Sequence, residues 1–263
     1  MPEIQVNQVH KSFGKTHVLR GLNFTIDKGE GAILLGANGC GKSTLMRSIC
    51  GLTPIDQGEI FIQNQSMQKS SRRRIMQLRS HVGVVFQRFN LVGNLSVFQN
   101  VLYGTLGAHP LGLLGCMAPF TSQENRDRVM ACLERVSLAD KAGQKAEELS
   151  GGQQQRVAIA RMLMQSPQIV LADEPIASLD PKSGREVMEL LWEVVRERGL
   201  TVICTLHQLD VALEYGDRFI GMKAGQVAID APRDQVTREQ LETLYHGQVR
   251  VDEQPVEVIH ACA

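Results

Sequence analysis

Residues 36–43 read Gly-Ala-Asn-Gly-Cys-Gly-Lys-Ser, which fits the spacing GxxxxGK[ST]. Glycine at 36, 39 and 41 lets the backbone curl so that successive N–H groups face phosphate oxygens. A helix starting at this point adds its positive end. Lys42 is then placed to neutralise charge on β- and γ-phosphates, and Ser43 to ligate Mg²⁺. Gly36, Asn38, Gly39, Cys40, Gly41, Lys42, Ser43 and Thr44 are therefore candidate ligands of a nucleoside triphosphate. A second group lies far downstream. Asp173 can hold the Mg²⁺, directly or through water, and Glu174 can polarise a water for in-line attack on the γ-phosphate. An Asp-Glu pair alone is more often a helix start or a solvated turn; the phosphate loop upstream gives this one its chemical reading.

Such residues need a scaffold. Three short, nearly all-apolar runs read as strands buried on both faces of a parallel sheet: residues 32–35, 169–172 and 201–204. Each runs into a polar cluster (Gly36 to Thr44, Asp173-Glu174, and His207-Gln208), and ligands of open parallel sheets sit beyond the carboxyl ends of the strands. Residues 4–26 alternate as antiparallel strands instead, with Ile4, Val6, Val18, Leu19, Leu22, Phe24 and Ile26 apolar. The region between the first two buried strands reads as mainly helical. Helices fit Ser43 to Cys50, a segment capped by Thr121 or Ser122 and reaching about Val136, Ser150 to Met164, and Ser183 to Arg198. Gly247 to Ala263 reads as a short tail.

Leu149-Ser150-Gly151-Gly152-Gln153 resembles the signature sequence of ATP-binding cassette (ABC) ATPases and lies where that family has it, between the phosphate loop and the Asp-Glu pair. Gln87 after Val84-Val85-Phe86 resembles the Q-loop, Ser178-Leu179-Asp180 the D-loop, His207 the switch histidine, and Phe13 the aromatic residue that stacks on adenine, with Val18 a second contact. The resemblance covers residues 3–246. It implies an α/β fold: a P-loop (RecA-like) parallel sheet core, an N-terminal antiparallel β subdomain and an inserted α-helical subdomain at about 88–165, together spanning 1–246, with 247–263 as the tail. It implies ATP and Mg²⁺ as cofactors, Gln87 and His207 as catalytic residues beside Glu174, and Gln87 as a metal ligand beside Ser43 and Asp173. It also implies two copies paired head-to-tail, each ATP held between Lys42 of one and Ser150, Gly151, Gly152, Gln153 and Asp180 of the other. The segments 86–97, 100–107 and 172–181 are similar to the ATPase subunit of phosphonate importers. That similarity implies integral-membrane permease subunits, an extracytoplasmic solute-binding protein, a peripheral place on the cytoplasmic face of the inner membrane, and uptake of phosphonate or a related phosphorus oxyanion. Importers of other small polar solutes share much of these segments, and a non-transport ABC ATPase is the more distant alternative.

Composition agrees with a folded chain of this kind. Of 263 residues, 43% are hydrophobic and 21% charged, which excludes a mostly disordered chain. Lys plus Arg and Asp plus Glu are 28 each, so no basic surplus marks nucleic acid as a partner. The basic run Lys69, Arg72, Arg73, Arg74 and Arg79 reads as a solvated helix face. Six cysteines without CxxC pairs read as reduced thiols, with Cys40 open to oxidation beside the phosphates. The chain start lacks the features of a signal peptide, so a cytosolic chain is expected. Residues 89–123 carry no Asp, Glu, Lys or Arg, but glycines, asparagines and a proline break the stretch, so it reads as a partner-facing surface rather than a membrane span. Charges placed at Leu111, Leu113 or Leu114 are expected to uncouple hydrolysis from transport.

Overall fold

The structure, a computed structural model, describes residues 2–107 and 121–245. Strands β1 (Pro2–Phe13) and β2 (Thr16–Asp27) form an antiparallel hairpin, and β4 (Gln57–Ile62) and β5 (Gln65–Ser66) extend it in the order β2-β1-β4-β5. The second sheet carries the chemistry. It combines β3 (Gly31–Leu35), β6 (Val82–Phe86), β7 (Ile169–Asp173), β8 (Thr201–Thr205), β9 (Arg218–Lys223) and β10 (Gln226–Pro232) in the order β10-β9-β3-β8-β7-β6. All its pairings are parallel except β10 with β9.

The three apolar runs lie side by side at its centre as β3, β8 and β7, and every residue of β3 and β8 is buried. Alternate residues feed two cores, which is why the runs show no polar face. Ile33, Leu35, Val170, Ala172, Val202 and Cys204 pack towards helices α3 (Val97–Leu102), α4 (Gln123–Arg135), α5 (Gly151–Gln165) and α6 (Pro181–Arg198). Ala32, Leu34, Ile169, Leu171 and Ile203 pack towards the antiparallel sheet and α1 (Lys42–Ile49).

Three sequence expectations are refined. The region between β3 and β7 is mainly helical, as expected, but it also holds the short strands β4, β5 and β6 beside α2 (Arg72–Ser80), because a short segment pairs once an existing sheet receives it. Helix α6 starts at Pro181 rather than Ser183, because Asp180 caps it and proline fits the first helical position. The basic run is only in part a solvated face. Arg79 donates from Nε to the Cys50 carbonyl at 3.0 Å and from Nη2 to the Gly51 carbonyl at 2.5 Å, fastening α2 to the end of α1.

In the charge-free stretch, Val97, Val101 and Leu102 enter the core and Asn100 is fully buried, bonded to the Val92 backbone at 2.8 and 3.1 Å. That part is interior; Leu111, Leu113 and Leu114 lie outside the described residues. Among the described residues no helix is long and apolar enough to cross a membrane. Cys40, Cys50, Cys132 and Cys204 are free and buried, while Cys116 and Cys262 lie outside the described residues.

Candidate active site

The phosphate loop runs from the carboxyl end of β3 into α1. Gly36 and Gly41 have φ of 147° and 109°, and a Cβ at Gly36 would strike the Met222 carbonyl and the Cys40 sulfur. Only glycine fits there. Gly41 is the N-cap of α1 and supplies no side-chain cap; the first backbone bond into the helix is from Leu45 N to Gly41 O at 2.9 Å. The N–H groups of Lys42, Ser43 and Thr44 thus form an open first turn, to which the helix dipole adds. Lys42 is buried, and its ammonium donates to the carbonyls of Gly36 at 2.8 Å and Ala37 at 3.4 Å. Asn38, Gly39 and Ser43 are exposed and Thr44 is half-buried.

The ends of β7 and β8 deliver the carboxylates. Ser43 Oγ donates to Asp173 Oδ1 at 3.4 Å, and Thr205 Oγ1 donates to the same oxygen at 2.9 Å while accepting from Glu174 N at 2.8 Å. Glu174 sits at φ 50°, in the left-handed region, so its side chain turns away from the strand direction at some cost in backbone energy. His207, in the loop after β8, bonds Glu174 Oε1 through Nε2. Phe86 pairs with Asp173 across β6 and β7, so Gln87 leaves β6 beside the carboxylate pair, exposed. A hydroxyl and a carboxylate converging at the end of the loop are hard oxygen donors of the kind Mg²⁺ takes with phosphate oxygens. The residues fit the ion.

Phe13 is 52% exposed at the tip of the β1–β2 hairpin, with the Lys11 ammonium 5.3 Å from its ring centre, and the Val18 carbonyl lies against Gly41. The hairpin therefore borders the phosphate loop. The signature residues are not brought there. Ser150 caps α5 and exchanges hydrogen bonds with Gln153, Ser150 Oγ accepting from Gln153 N at 3.3 Å and Gln153 Oε1 from Ser150 N at 3.1 Å. Gly151 and Gly152 sit beside Leu179 and Ser183. Asp180 Oδ1 accepts from Lys182 N and Ser183 N at 3.1 and 3.0 Å, and the Ser183 hydroxyl and N–H hold its carboxyl below the ordinary value. Cys40 is buried, and burial raises its thiol pKa despite nearby Lys42, which opposes the expected oxidation sensitivity.

Two residues escaped the sequence reading. Thr205 joins Asp173 to the Glu174 backbone, and Gln155, fully buried on α5, donates to the Pro175 carbonyl at 2.7 Å and the Phe86 carbonyl at 3.4 Å, tying the signature helix to the loops that hold Glu174 and Gln87. The only signal was a polar residue at an apolar strand end or on a buried helix face.

Residues 19–177 match the family described as ABC transporter. The chain belongs to that family. This cassette is 42% identical over 259 residues to "Phosphonates import ATP-binding protein PhnC" of Staphylococcus aureus strain USA300, covering 96% of this chain and 98% of that one. Among solved structures it resembles cbiO1 from Clostridium perfringens, part of the ABC transporter complex cbiONQ, at 33% identity and TM-score 0.79, over 91% of this chain and 92% of that chain. It also resembles the dimeric cassette MJ0796 in a post-hydrolysis state bound to ADP and Pi, at 34% identity and TM-score 0.75, over 88% and 98% of the two chains. A separate cavity among the described residues lies away from the phosphate loop. It has a volume of about 810 Å³ and lies between β6, α2 and the helices α4 and α5, lined by Arg79, Arg128, Arg161, Met76, Tyr103 and Met162 among others.

Proposed function

We propose that this cassette is the ATP-hydrolysing subunit of an importer that takes up phosphonate or a related phosphorus oxyanion. The observation that carries the reading is the near full-length similarity to a phosphonates import ATP-binding protein, in a chain whose Lys42, Ser43, Asp173, Glu174 and His207 converge. ATP enters the phosphate loop with its adenine against Phe13 and Val18 and its phosphates on the N–H groups of Gly39 to Thr44. Lys42 leaves the Gly36 and Ala37 carbonyls to neutralise β- and γ-oxygens. Ser43, Asp173 and Gln87 are the residues that would hold Mg²⁺, which when bound shields phosphate charge. Glu174 orients and deprotonates the attacking water, and His207 moves from Glu174 to the γ-phosphate as hydrolysis becomes possible.

Two copies pair head-to-tail. Ser150, Gly151, Gly152, Gln153 and Asp180 of each copy complete the ATP site of the other, a reading supported by the exposure of Ser150 and Asp180 away from their own phosphate loop. The cassette spans 1–246, with its helical subdomain at about 88–165 and the tail at 247–263. It works peripherally on the cytoplasmic face of the inner membrane, with permease subunits and an extracytoplasmic solute-binding protein, and without nucleic acid. The test is a pull-down of tagged Glu174→Gln chain with ATP from detergent-solubilised native membranes. Co-purification of a permease whose binding protein takes phosphonate supports the reading; recovery of soluble partners alone overturns the transport part and leaves the ATPase chemistry standing.

A further inference from the structure

The first glycine of the phosphate loop has a neighbour from the far end of the chain. Helix α8 (Arg238–Glu242) is held by Arg238, which bonds Asp210 of α7 (Leu209–Tyr215) at 2.7 Å and Glu242 at 3.0 Å. The turn that follows is tied to β9, Lys223 Nζ donating to the Thr243 carbonyl at 3.2 Å. Leu244 is buried directly over Gly221, where an added Cβ would come within 2.7 Å of it. Gly221 is the register partner of Leu35, the last residue of β3. One residue further along, Tyr245 packs on the large core and its hydroxyl comes beside the Gly36 N–H, close to Cys40 and Glu174.

That hydroxyl is fully buried and has no hydrogen-bond partner within ordinary distance and angle limits among the described residues, although the Gly36 N–H stands near enough to favour the ionised phenol. Buried polar atoms are seldom left so without a reason. Burial also raises the phenol above its ordinary value, so it is a neutral hydroxyl at working pH, able to accept as well as donate. On the other side of the same backbone segment the Lys42 ammonium clamps the carbonyls of Gly36 and Ala37 at 2.8 and 3.4 Å. With three donors, an ammonium that bonds both a β- and a γ-phosphate oxygen keeps at most one of these carbonyls, so the loop's internal clamp weakens when nucleotide arrives.

We propose that Tyr245 is a positioning residue for ATP hydrolysis, whose hydroxyl accepts the Gly36 N–H as the phosphate loop closes and holds the loop once Lys42 has turned to the nucleotide. The proposal rests on ATP occupying this loop. Tyr245→Phe in the full chain should raise the KM for ATP about three- to tenfold, the size of one neutral hydrogen bond, with kcat changed less than about twofold. Its thermal midpoint should stay level or rise, because the unbound chain loses an unpartnered buried hydroxyl. Tyr245→Leu, which also removes the ring, should lower the midpoint.

Fluorine NMR of the unmodified chain carrying 3-fluorotyrosine supplies an independent readout, since Tyr103 and Tyr215 are the only other tyrosines. A resonance absent from Tyr245→Phe and shifted by ADP supports the proposal. An unchanged KM, a KM rise matched by a fallen midpoint, or a Tyr245 resonance blind to ADP overturns it. Failure of the unmodified chain to bind ATP would instead overturn the nucleotide reading itself.

Discussion

Two helix N-termini in this cassette set glycines beside a serine hydroxyl, and they are built in opposite ways. At α1 the cap is Gly41, no side chain takes the first-turn donors, and Lys42 is buried, while Ser43 is exposed. At α5 the cap is Ser150, which satisfies Gln153 and is satisfied by it, and the turn faces outward. An open first turn is costly unless a ligand or the fold around it holds it in shape; a capping box is self-sufficient. The phosphate loop is thus ready for an anion within one chain. On the proposed reading, the signature turn would exchange its internal bonds for an anion brought by a second copy.

The comparison can be broken at several points. Replacing Glu174 by Gln should reduce hydrolysis by about two to four orders of magnitude, the range of general-base catalysis, while ATP still binds and draws chains into dimers. Light scattering that finds only monomers at saturating ATP and Mg²⁺ would detach the signature turn from nucleotide altogether. Next in size, Lys42→Ala should cost about 10²–10³ in kcat/KM and weaken ATP binding in a titration, because the open turn keeps its N–H groups but loses its cation.

Thr205→Val tests how the open site is held together. It removes the donor to Asp173 and the acceptor of Glu174 N, and should cost about 1–3 kcal/mol in denaturant unfolding together with a fall in kcat. Ser150 separates capping from nucleotide contact. Ser150→Ala should cost about 1 kcal/mol and Ser150→Gly only a few tenths, so a turnover loss common to both belongs to the missing hydroxyl and not to the cap. The smallest effect is expected at Cys40. Its raised thiol pKa leaves little thiolate near neutral pH, so alkylation of the folded chain should leave ATPase rates within about twofold; rapid inactivation would mean that the loop opens far more than its packing suggests.

The turn at 36–43 could be read at once because its expected phosphate contacts are consecutive residues, and the glycines that let it bend are the same glycines that spell the motif. Asp173 and Glu174 were legible because an apolar strand ends in them. Thr205 and Gln155 were not: each is a single polar residue in an apolar run, and only the neighbour across the sheet or under the helix reveals what it holds. Strands β4, β6, β9 and β10 were missed for a similar reason, since a short strand, whether at an edge as β6 and β10 or inside a sheet as β4 and β9, is fixed by the strands it joins more than by its own pattern.

The sequence by itself determined which groups are on offer: a glycine-rich turn, a lysine, a hydroxyl, two carboxylates and a histidine, each at a strand or helix end. Tertiary structure alone decided which of them meet. It laid β3, β8 and β7 side by side, which brought Ser43 to Asp173 and His207 to Glu174, and it left Ser150 on the outside. It also returned Tyr245 to Gly36 across some two hundred residues of chain. The physical reason is that backbone chemistry is local, whereas the burial that aligns strands acts on the whole apolar surface at once.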